Sequence, residues 1–356
     1  MRLSRRLFGL GGLAAAAGLP AWPVAADQVA PAQGARMLPA RHLPVPTTVS
    51  QALQQRIAAP YPPGWDKVPE TAQVWREMQQ ASAAQMAPML PGLAEQLRID
   101  VERQTVAGVR VFMITPQEMP AENRNRLLLH LHGGAYVMFP GEAGAGEGML
   151  MAGYGRFRVV SVDYRMPPDF PFPAAVDDAI AVYRALITGH DPRRMAVFGS
   201  SAGGSLTLAL ILQAKALGLP LPAAIAPGTP WADLSARGDT IMANAYVDNV
   251  LVAEHGKLGA AARLYAAGRD LAHPLISPLN GDFTGFPPAI ITSGTRDLLL
   301  SDSVRTHRKL RQAGVEAVLQ VFEGQSHAQF LDPTVPETQE AFAEVAGFFR
   351  KHLATT

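Results

Sequence analysis

Five short apolar runs punctuate the chain after residue 120: Leu127-Leu128-Leu129-His130-Leu131, Arg158-Val159-Val160-Ser161-Val162, Met195-Ala196-Val197-Phe198, Ala289-Ile290-Ile291-Thr292-Ser293 and Ala317-Val318-Leu319-Gln320-Val321-Phe322. Each is bounded by turn residues and separated from the next by a helical pattern. Continuous rather than alternating apolar character predicts strands of a parallel sheet covered on both faces. A further strand is expected near 223–226. Stretches 98–105 and 108–114 alternate instead and are separated by a turn, which predicts an antiparallel pair at the start of the sheet. The expectation is a mostly parallel, eight-stranded α/β sheet. Helices are predicted at 173–188, which opens on Pro173 and carries Asp177 and Asp178 early, and at 203–216, 303–313 and 336–352. Residues 48–97 are helical and amphipathic, broken by Pro60-Tyr61-Pro62-Pro63-Gly64. A helical piece ahead of a β-rich core suggests a cap. Residues 233–272 are longer than a simple crossover requires, so part of them is expected to join it. The organisation predicted is a leader with N-terminal cap helices over 27–97 and a core domain over 98–356.

The first 26 residues read as something other than fold. Ser4-Arg5-Arg6-Leu7-Phe8 is a twin-arginine start, followed by an apolar, small-residue stretch, with Val24-Ala25-Ala26 offering a cleavage site before Asp27. Gly9 and Leu10 stand where that pattern has Leu-Lys. The expectation is an exported protein, periplasmic or secreted, without stable membrane insertion once the signal is removed. Losing Arg2, Arg5 and Arg6 would change the formal charge from +1 to −2. Hydrophobic residues at 48% and charged residues at 17% exclude wholesale disorder. No basic stripe with interleaved aromatics suggests nucleic acid as a partner. With no cysteine there are no disulfides and no thiolate metal sites. The histidines outside the motifs below lack partners at metal-ligand spacing, and no phosphate-binding loop or dinucleotide turn appears, so neither metal nor cofactor is expected.

The strongest chemical signal is Gly199-Ser200-Ser201-Ala202-Gly203-Gly204. It follows an apolar strand and opens a helix, the setting in which G-x-S-x-G marks a nucleophile elbow. Ser201 is then the nucleophile, and Ser200, one position earlier, points elsewhere as a packing or hydrogen-bonding residue. His130-Leu131-His132-Gly133-Gly134-Ala135 ends another strand. Two consecutive glycines let backbone N–H groups approach a developing oxyanion. Gly133 and Gly134 are expected to supply two donors and Ala202 the third. His132 heads this loop and is read as a brace, His130 as a core residue. A serine nucleophile needs a base, and the base needs a carboxylate to orient it. Two loops at the carboxyl ends of predicted strands follow Ser201 in the required order. The later one, Glu323-Gly324-Gln325-Ser326-His327, supplies His327 as base. The earlier one, Gly294-Thr295-Arg296-Asp297, supplies Asp297 as acid, with Asp302 and, more weakly, Glu323 as rivals.

These motifs resemble those of the bacterial hormone-sensitive-lipase-like carboxylesterases, family IV of the α/β-hydrolase superfamily. The most specific mark is Asp163-Tyr164-Arg165-Met166-Pro167-Pro168-Asp169-Phe170-Pro171-Phe172-Pro173-Ala174-Ala175, and the resemblance spans residues 126–348. Three positions depart from the family pattern. Ala135 replaces the third glycine of the HGGG loop, Ser200 stands where Asp or Thr precedes the nucleophile, and Leu298 replaces the proline after the acid. The resemblance implies an α/β-hydrolase fold with a helical cap, supports Asp297 over Asp302, and implies short to medium acyl esters as small-molecule substrates. The cap should shape an apolar pocket; Tyr136, Met138, Phe139, Trp231 and Leu298, on loops next to the motifs, are candidates for lining it. A lactonase, amidase or deacetylase would share the same triad, and a non-catalytic receptor on this fold should have lost one of its members. The last strand, 317–322, could lie at a sheet edge and pair with its twin in a homodimer.

Overall fold

The structure is a computed structural model and describes residues 34–354. Residues 1–26, expected to be an export signal, lie outside them. Residues 34–42 separate from the rest as a unit of their own and contain no helix or strand.

Three helices come first: α1 (Gln51–Ile57), α2 (Ala72–Met86) and α3 (Leu90–Leu97). Ser50 and Thr71 cap α1 and α2, their hydroxyls accepting from the N–H groups of Leu53 and Val74. The sheet then begins with β1 (Ile99–Val106), β2 (Val109–Pro116) and β3 (Leu127–Leu131). Helix α4 (Gly146–Gly155), β4 (Arg158–Val162), α5 (Ala174–Gly189), β5 (Met195–Ser200), α6 (Ala202–Ala216) and β6 (Ala224–Gly228) continue it. Two short helices, α7 (Thr240–Ala243) and α8 (Lys257–Ala266), interrupt an otherwise irregular stretch. The chain closes through β7 (Ala289–Gly294), α9 (Leu300–Gln312), β8 (Ala317–Phe322) and α10 (Pro336–His352).

The strand order is β1-β2-β4-β3-β5-β6-β7-β8. β2 is antiparallel to both β1 and β4, and the six strands from β4 to β8 are mutually parallel. This is an eight-stranded, mostly parallel α/β-hydrolase sheet. Alternation within a strand assigns its side chains to two cores. In β3, Leu127, Leu129 and Leu131 pack in one buried cluster with Val176 of α5 and Leu206 of α6. Leu128 turns to the other face, with Met149 of α4 and Phe349 of α10. β3, β5, β6 and β7 are buried along their whole length, which is why they read as continuous apolar runs. β8 is different. It ends the sheet, and Val318 and Val321 are exposed.

Helix α4 carries no sequence signal. Gly146, Gly148, Gly153 and Gly155 lower its intrinsic propensity, and its apolar residues face β2, β4, α3 and α10 on several sides, so no amphipathic period develops. Its helicity comes from packing.

Candidate active site

β5 runs into α6 through one residue, Ser201, at φ 61° and ψ −123°. A non-glycine residue with positive φ is strained, and this one is held in place by its backbone. Its N–H donates to the Gly228 carbonyl (2.9 Å), and its carbonyl accepts from Ser205 and Trp231 (3.0 Å each). The turn is tight enough to exclude side chains beside it. A Cβ on Gly199 or on Gly203 would stand 1.9 Å from the Leu131 carbonyl oxygen. Ser201 is partly exposed, and its hydroxyl makes no hydrogen bond among the described residues.

Ser200 faces the other side of the sheet. Its hydroxyl donates to Glu147 Oε1 (2.7 Å) and its N–H to Oε2 (3.0 Å). The same carboxylate meets His130 Nε2, and His130 Nδ1 meets Ser161 Oγ at 2.8 Å. Ser200 and His130 are thus internal hydrogen-bonding residues. Glu147, their shared partner, was not legible in the sequence because it lies on α4.

The loop after β3 passes close to Ser201. A Cβ on Gly133 would lie 2.8 Å from the Ser200 carbonyl and 3.4 Å from Ser201 Cβ. Gly134, Ala135 and Tyr136 take positive φ values of 102°, 53° and 63°, and the Gly134 carbonyl accepts from Val137 and Met138. Among the described residues, the N–H groups of Gly133, Gly134 and Ala202 find no acceptor. His132 braces this loop. Its Nδ1 meets the Gly133 carbonyl at 2.7 Å, and its ring stacks on Tyr164 at 4.1 Å, whose hydroxyl donates to the His132 carbonyl. Burial pushes the His132 pKa down to about 4, so the ring is neutral near pH 7.

His327 follows β8 and Asp297 follows β7. His327 Nδ1 lies 3.0 Å from Asp297 Oδ1. Asp297 is fully buried, yet every remaining lone pair is engaged. Oδ2 accepts from the hydroxyls of Thr229 and Ser293, and Oδ1 from the Leu299 N–H at 2.9 Å. Burial alone would raise the Asp297 carboxyl. The His327 ring and the two hydroxyls outweigh it and hold the group below the usual carboxylate range. Conversely, burial would lower His327, but the Asp297 charge, with a smaller part from Asp248, raises it above the ordinary histidine value. His327 Nε2, the other ring nitrogen, is buried and has no hydrogen-bond partner among the described residues.

Thr229, which sequence reasoning missed, joins the two halves of the site. Its neighbour Gly228 holds the Ser201 N–H, while its own hydroxyl sits 3.0 Å from His327 Nδ1. Its position just past the end of a parallel strand is the signal that could have found it. The other carboxylates lie elsewhere. Asp302 accepts from the Asp233 N–H at 2.9 Å and is pushed up to about 7 by burial. Glu323 is exposed.

The five pocket candidates divide. Met138 and Phe139 are partly exposed beside the glycine loop. Tyr136, Trp231 and Leu298 are buried in the main core. The Tyr136 ring stacks on Tyr265 with centroids 3.7 Å apart.

Residues of α1 and of the connection between α1 and α2 interlock with residues from 233–272. Asn249 Nδ2 donates to the carbonyls of Arg56 and Ala59, the Tyr61 hydroxyl donates to the Tyr246 carbonyl, and Trp65 meets Tyr246 and His255 edge-on. On the other side, Ser82 of α2 accepts the Phe139 N–H at 2.9 Å.

Comparison with known proteins adds to this geometry. The family profile for the alpha/beta hydrolase fold matches residues 128–331. An acetyl-hydrolase of Streptomyces hygroscopicus is 35% identical over 65% of this chain and 77% of its own length. An esterase of Acinetobacter venetianus is 30% identical over 75% of this chain and 90% of its own. The crystal structure of one esterase superposes with a TM-score of 0.87 at 43% identity, covering 90% of this chain and 99% of that one. A second, an esterase of the bacterial hormone-sensitive lipase family, gives 0.69 at 31% identity, covering 85% and 96%. The chain belongs to the alpha/beta-hydrolase fold family, among the bacterial hormone-sensitive-lipase-like carboxylesterases, and is by class a serine carboxylesterase. Among the described residues, no helix is long and apolar enough to cross a membrane.

Proposed function

We propose that Ser201, His327 and Asp297 form the triad of an esterase acting on small esters with short to medium acyl chains, through an acyl-enzyme. The observation that carries this reading is the Asp297–His327 bond, linked through Thr229 and Gly228 to a strained Ser201 and leaving His327 Nε2 unpartnered among the described residues. His327 Nδ1–H is committed to Asp297, so Nε2 is the basic nitrogen. It takes the Ser201 proton as Oγ attacks the ester carbonyl. The carbonyl oxygen, now negative, accepts from the N–H groups of Gly133, Gly134 and Ala202. The tetrahedral species collapses, and His327 returns the proton to the leaving alcohol. Water then attacks the acyl-enzyme, with His327 again as base, and releases the acid and free Ser201.

α2 and the interlocked segments 56–65 and 244–255 are read as the cap over this site. Met138 and Phe139 supply apolar surface beside the donors, in keeping with a small acyl group. The Streptomyces relative is an acetyl-hydrolase, which points the same way. A panel of p-nitrophenyl esters and lactones tests the substrate class. kcat/KM should peak between acetate and hexanoate and fall at least about tenfold by laurate. A peak at palmitate, or hydrolysis of lactones alone, would overturn it.

The pH profile tests the base. His327 must be neutral to accept a proton, and its pKa is raised, so the acid limb of kcat/KM should inflect above the ordinary histidine value of about 6.5. Asp297→Asn removes the larger opposing charge. The limb should then move to lower pH, with kcat reduced on the order of 10⁴-fold. A limb that stays in place would exclude His327 as the titrating group.

Export is proposed on the twin-arginine start Ser4-Arg5-Arg6-Leu7-Phe8 and the small residues before Asp27. A chain without cysteine can fold before translocation with no disulfide to form. Periplasmic activity that disappears on Arg5→Lys, Arg6→Lys substitution would support it.

A further inference from the structure

One buried carboxylate in the irregular stretch after α7 belongs to none of the motifs. Asp248 is fully buried, and both of its oxygens are occupied by backbone N–H groups. Oδ1 accepts from Val250 (2.7 Å) and Leu251 (3.0 Å). Oδ2 accepts from Leu298 (2.8 Å) and His327 (3.1 Å). The first of those last two is the residue after Asp297; the second is His327 itself. A single side-chain oxygen therefore fixes the distance between the loop after β7 and the loop after β8.

Its neighbours extend the tie. Asn244 Nδ2 donates to the Asp297 carbonyl at 2.8 Å. The Asn249 N–H donates to Ser326 Oγ, and Gln329 donates to Asn249 Oδ1. Asn249 also holds the carbonyls at the end of α1. Residues 244–251 are thus clipped to both loops below and to the N-terminal helices beside them.

The sequence departure at Leu298 becomes intelligible here. Proline, the residue of the family pattern at this position, has no N–H to donate. Leu298 has one, and it goes to Asp248.

We propose that Asp248 is a positioning residue of the esterase reaction: its carboxylate sets the spacing of the Asp297 and His327 loops and couples that spacing to the 244–251 segment. The inference rests on the triad reading. Asp248 never meets the ester. It acts on His327 in two ways, by holding its backbone and by adding a second negative charge to that of Asp297. Burial, and after it the Asp297 charge, hold the Asp248 carboxyl above the usual carboxylate range; His327 and the N–H donors oppose this only in part. Asp297 and Asp248 are the charged groups acting on the His327 ring.

Two variants test it, each measured on the whole chain by kcat, KM, the acid limb of kcat/KM and the rate of labelling by a fluorophosphonate. Asp248→Asn keeps the shape, removes the charge and turns an amide N–H₂ toward backbone donors. A loop displacement on the ångström scale costs about 100-fold in rate. kcat and the labelling rate should therefore fall about 30- to 100-fold together, KM should change less than about threefold, and the limb should move to lower pH. Leu298→Pro removes one hydrogen bond and keeps the charge. kcat should fall about three- to tenfold with the limb unmoved, a loss matching one net hydrogen bond of about 1 kcal/mol. Because proline is the family residue there, this variant keeps the test alive should Asp248→Asn fail to fold. Unchanged kcat in Leu298→Pro, or an unmoved limb in a folded Asp248→Asn, overturns the proposal. Failure of the triad reading would look different: Ser201→Ala would keep turning over ester whatever Asp248 does.

Discussion

Replacing Ser201 by alanine should lower kcat/KM for a p-nitrophenyl ester by about five to six orders of magnitude and abolish fluorophosphonate labelling. The fold should be untouched. Among the described residues the Ser201 hydroxyl holds no hydrogen bond, and the three bonds that fix this residue are made by its backbone. Alanine tolerates the positive φ no worse than serine, so the melting temperature should stay within about 2 °C, a change below about 1 kcal/mol. Ser200 cannot take over, because it is buried and its hydroxyl is committed to Glu147 across the sheet. The residual rate should remain above that of the uncatalysed reaction, since the donors of Gly133, Gly134 and Ala202 survive. Near-wild-type turnover, with labelling retained, would remove Ser201 from the mechanism.

The second large effect falls on stability. Gly199→Ala would place a methyl group 1.9 Å from the Leu131 carbonyl oxygen, with the Leu131 carbonyl carbon at 3.0 Å and the Gly203 carbonyl carbon at 3.1 Å. All three neighbours are backbone, so no rotamer relieves the overlap. Either β3 and β5 separate or the elbow shifts, at a cost expected above about 4 kcal/mol. The protein should become largely insoluble, or its melting temperature should fall by about 10 °C or more. Gly347→Ala in α10 is the contrast. A Cβ there meets nothing within 4 Å, and the substitution should stabilise by about 0.5–1 kcal/mol through helix propensity. Thermal unfolding of the two variants side by side distinguishes a packing requirement at Gly199 from a general intolerance of glycine substitution.

Much of the sheet is written locally. β3, β4 and β8 and helix α10 span the residues that their apolar patterns predict, and the other strands differ by one or two residues at their ends. Short apolar runs between turns carry that information because each strand is buried by neighbours on both faces. The elbow and the two loops bearing Asp297 and His327 were legible for a related reason. In a parallel sheet, functional side chains gather where strands end. What was not legible depends on distant partners. α4 is helical because two strands and two helices enclose it. Asp248 and Asn249 acquire their roles from residues about 50 to 190 positions away, and nothing in their own neighbourhood signals it. The burial of Tyr136 against Tyr265 was likewise not legible, because its stacking partner lies far along the chain. Thr229 lies between these cases, at a strand end but without a motif.

The passage from Ser201 directly into α6 divides the proposed chemistry into two kinds of machinery. One half is made of side chains. His327, Asp297 and Asp248 titrate, sit on loops, and can be retuned by a single substitution nearby. The other half is main chain. The N–H of Ala202 and the first turn of a 15-residue buried helix present a fixed positive potential that carries no ionisable proton. No side-chain replacement deletes it, and no change of pH between acid and alkaline denaturation switches it off. Mutational drift and environmental acidity would therefore act on the rate through the base, while the preference for a developing negative charge beside Ser201 would persist as long as the backbone is folded.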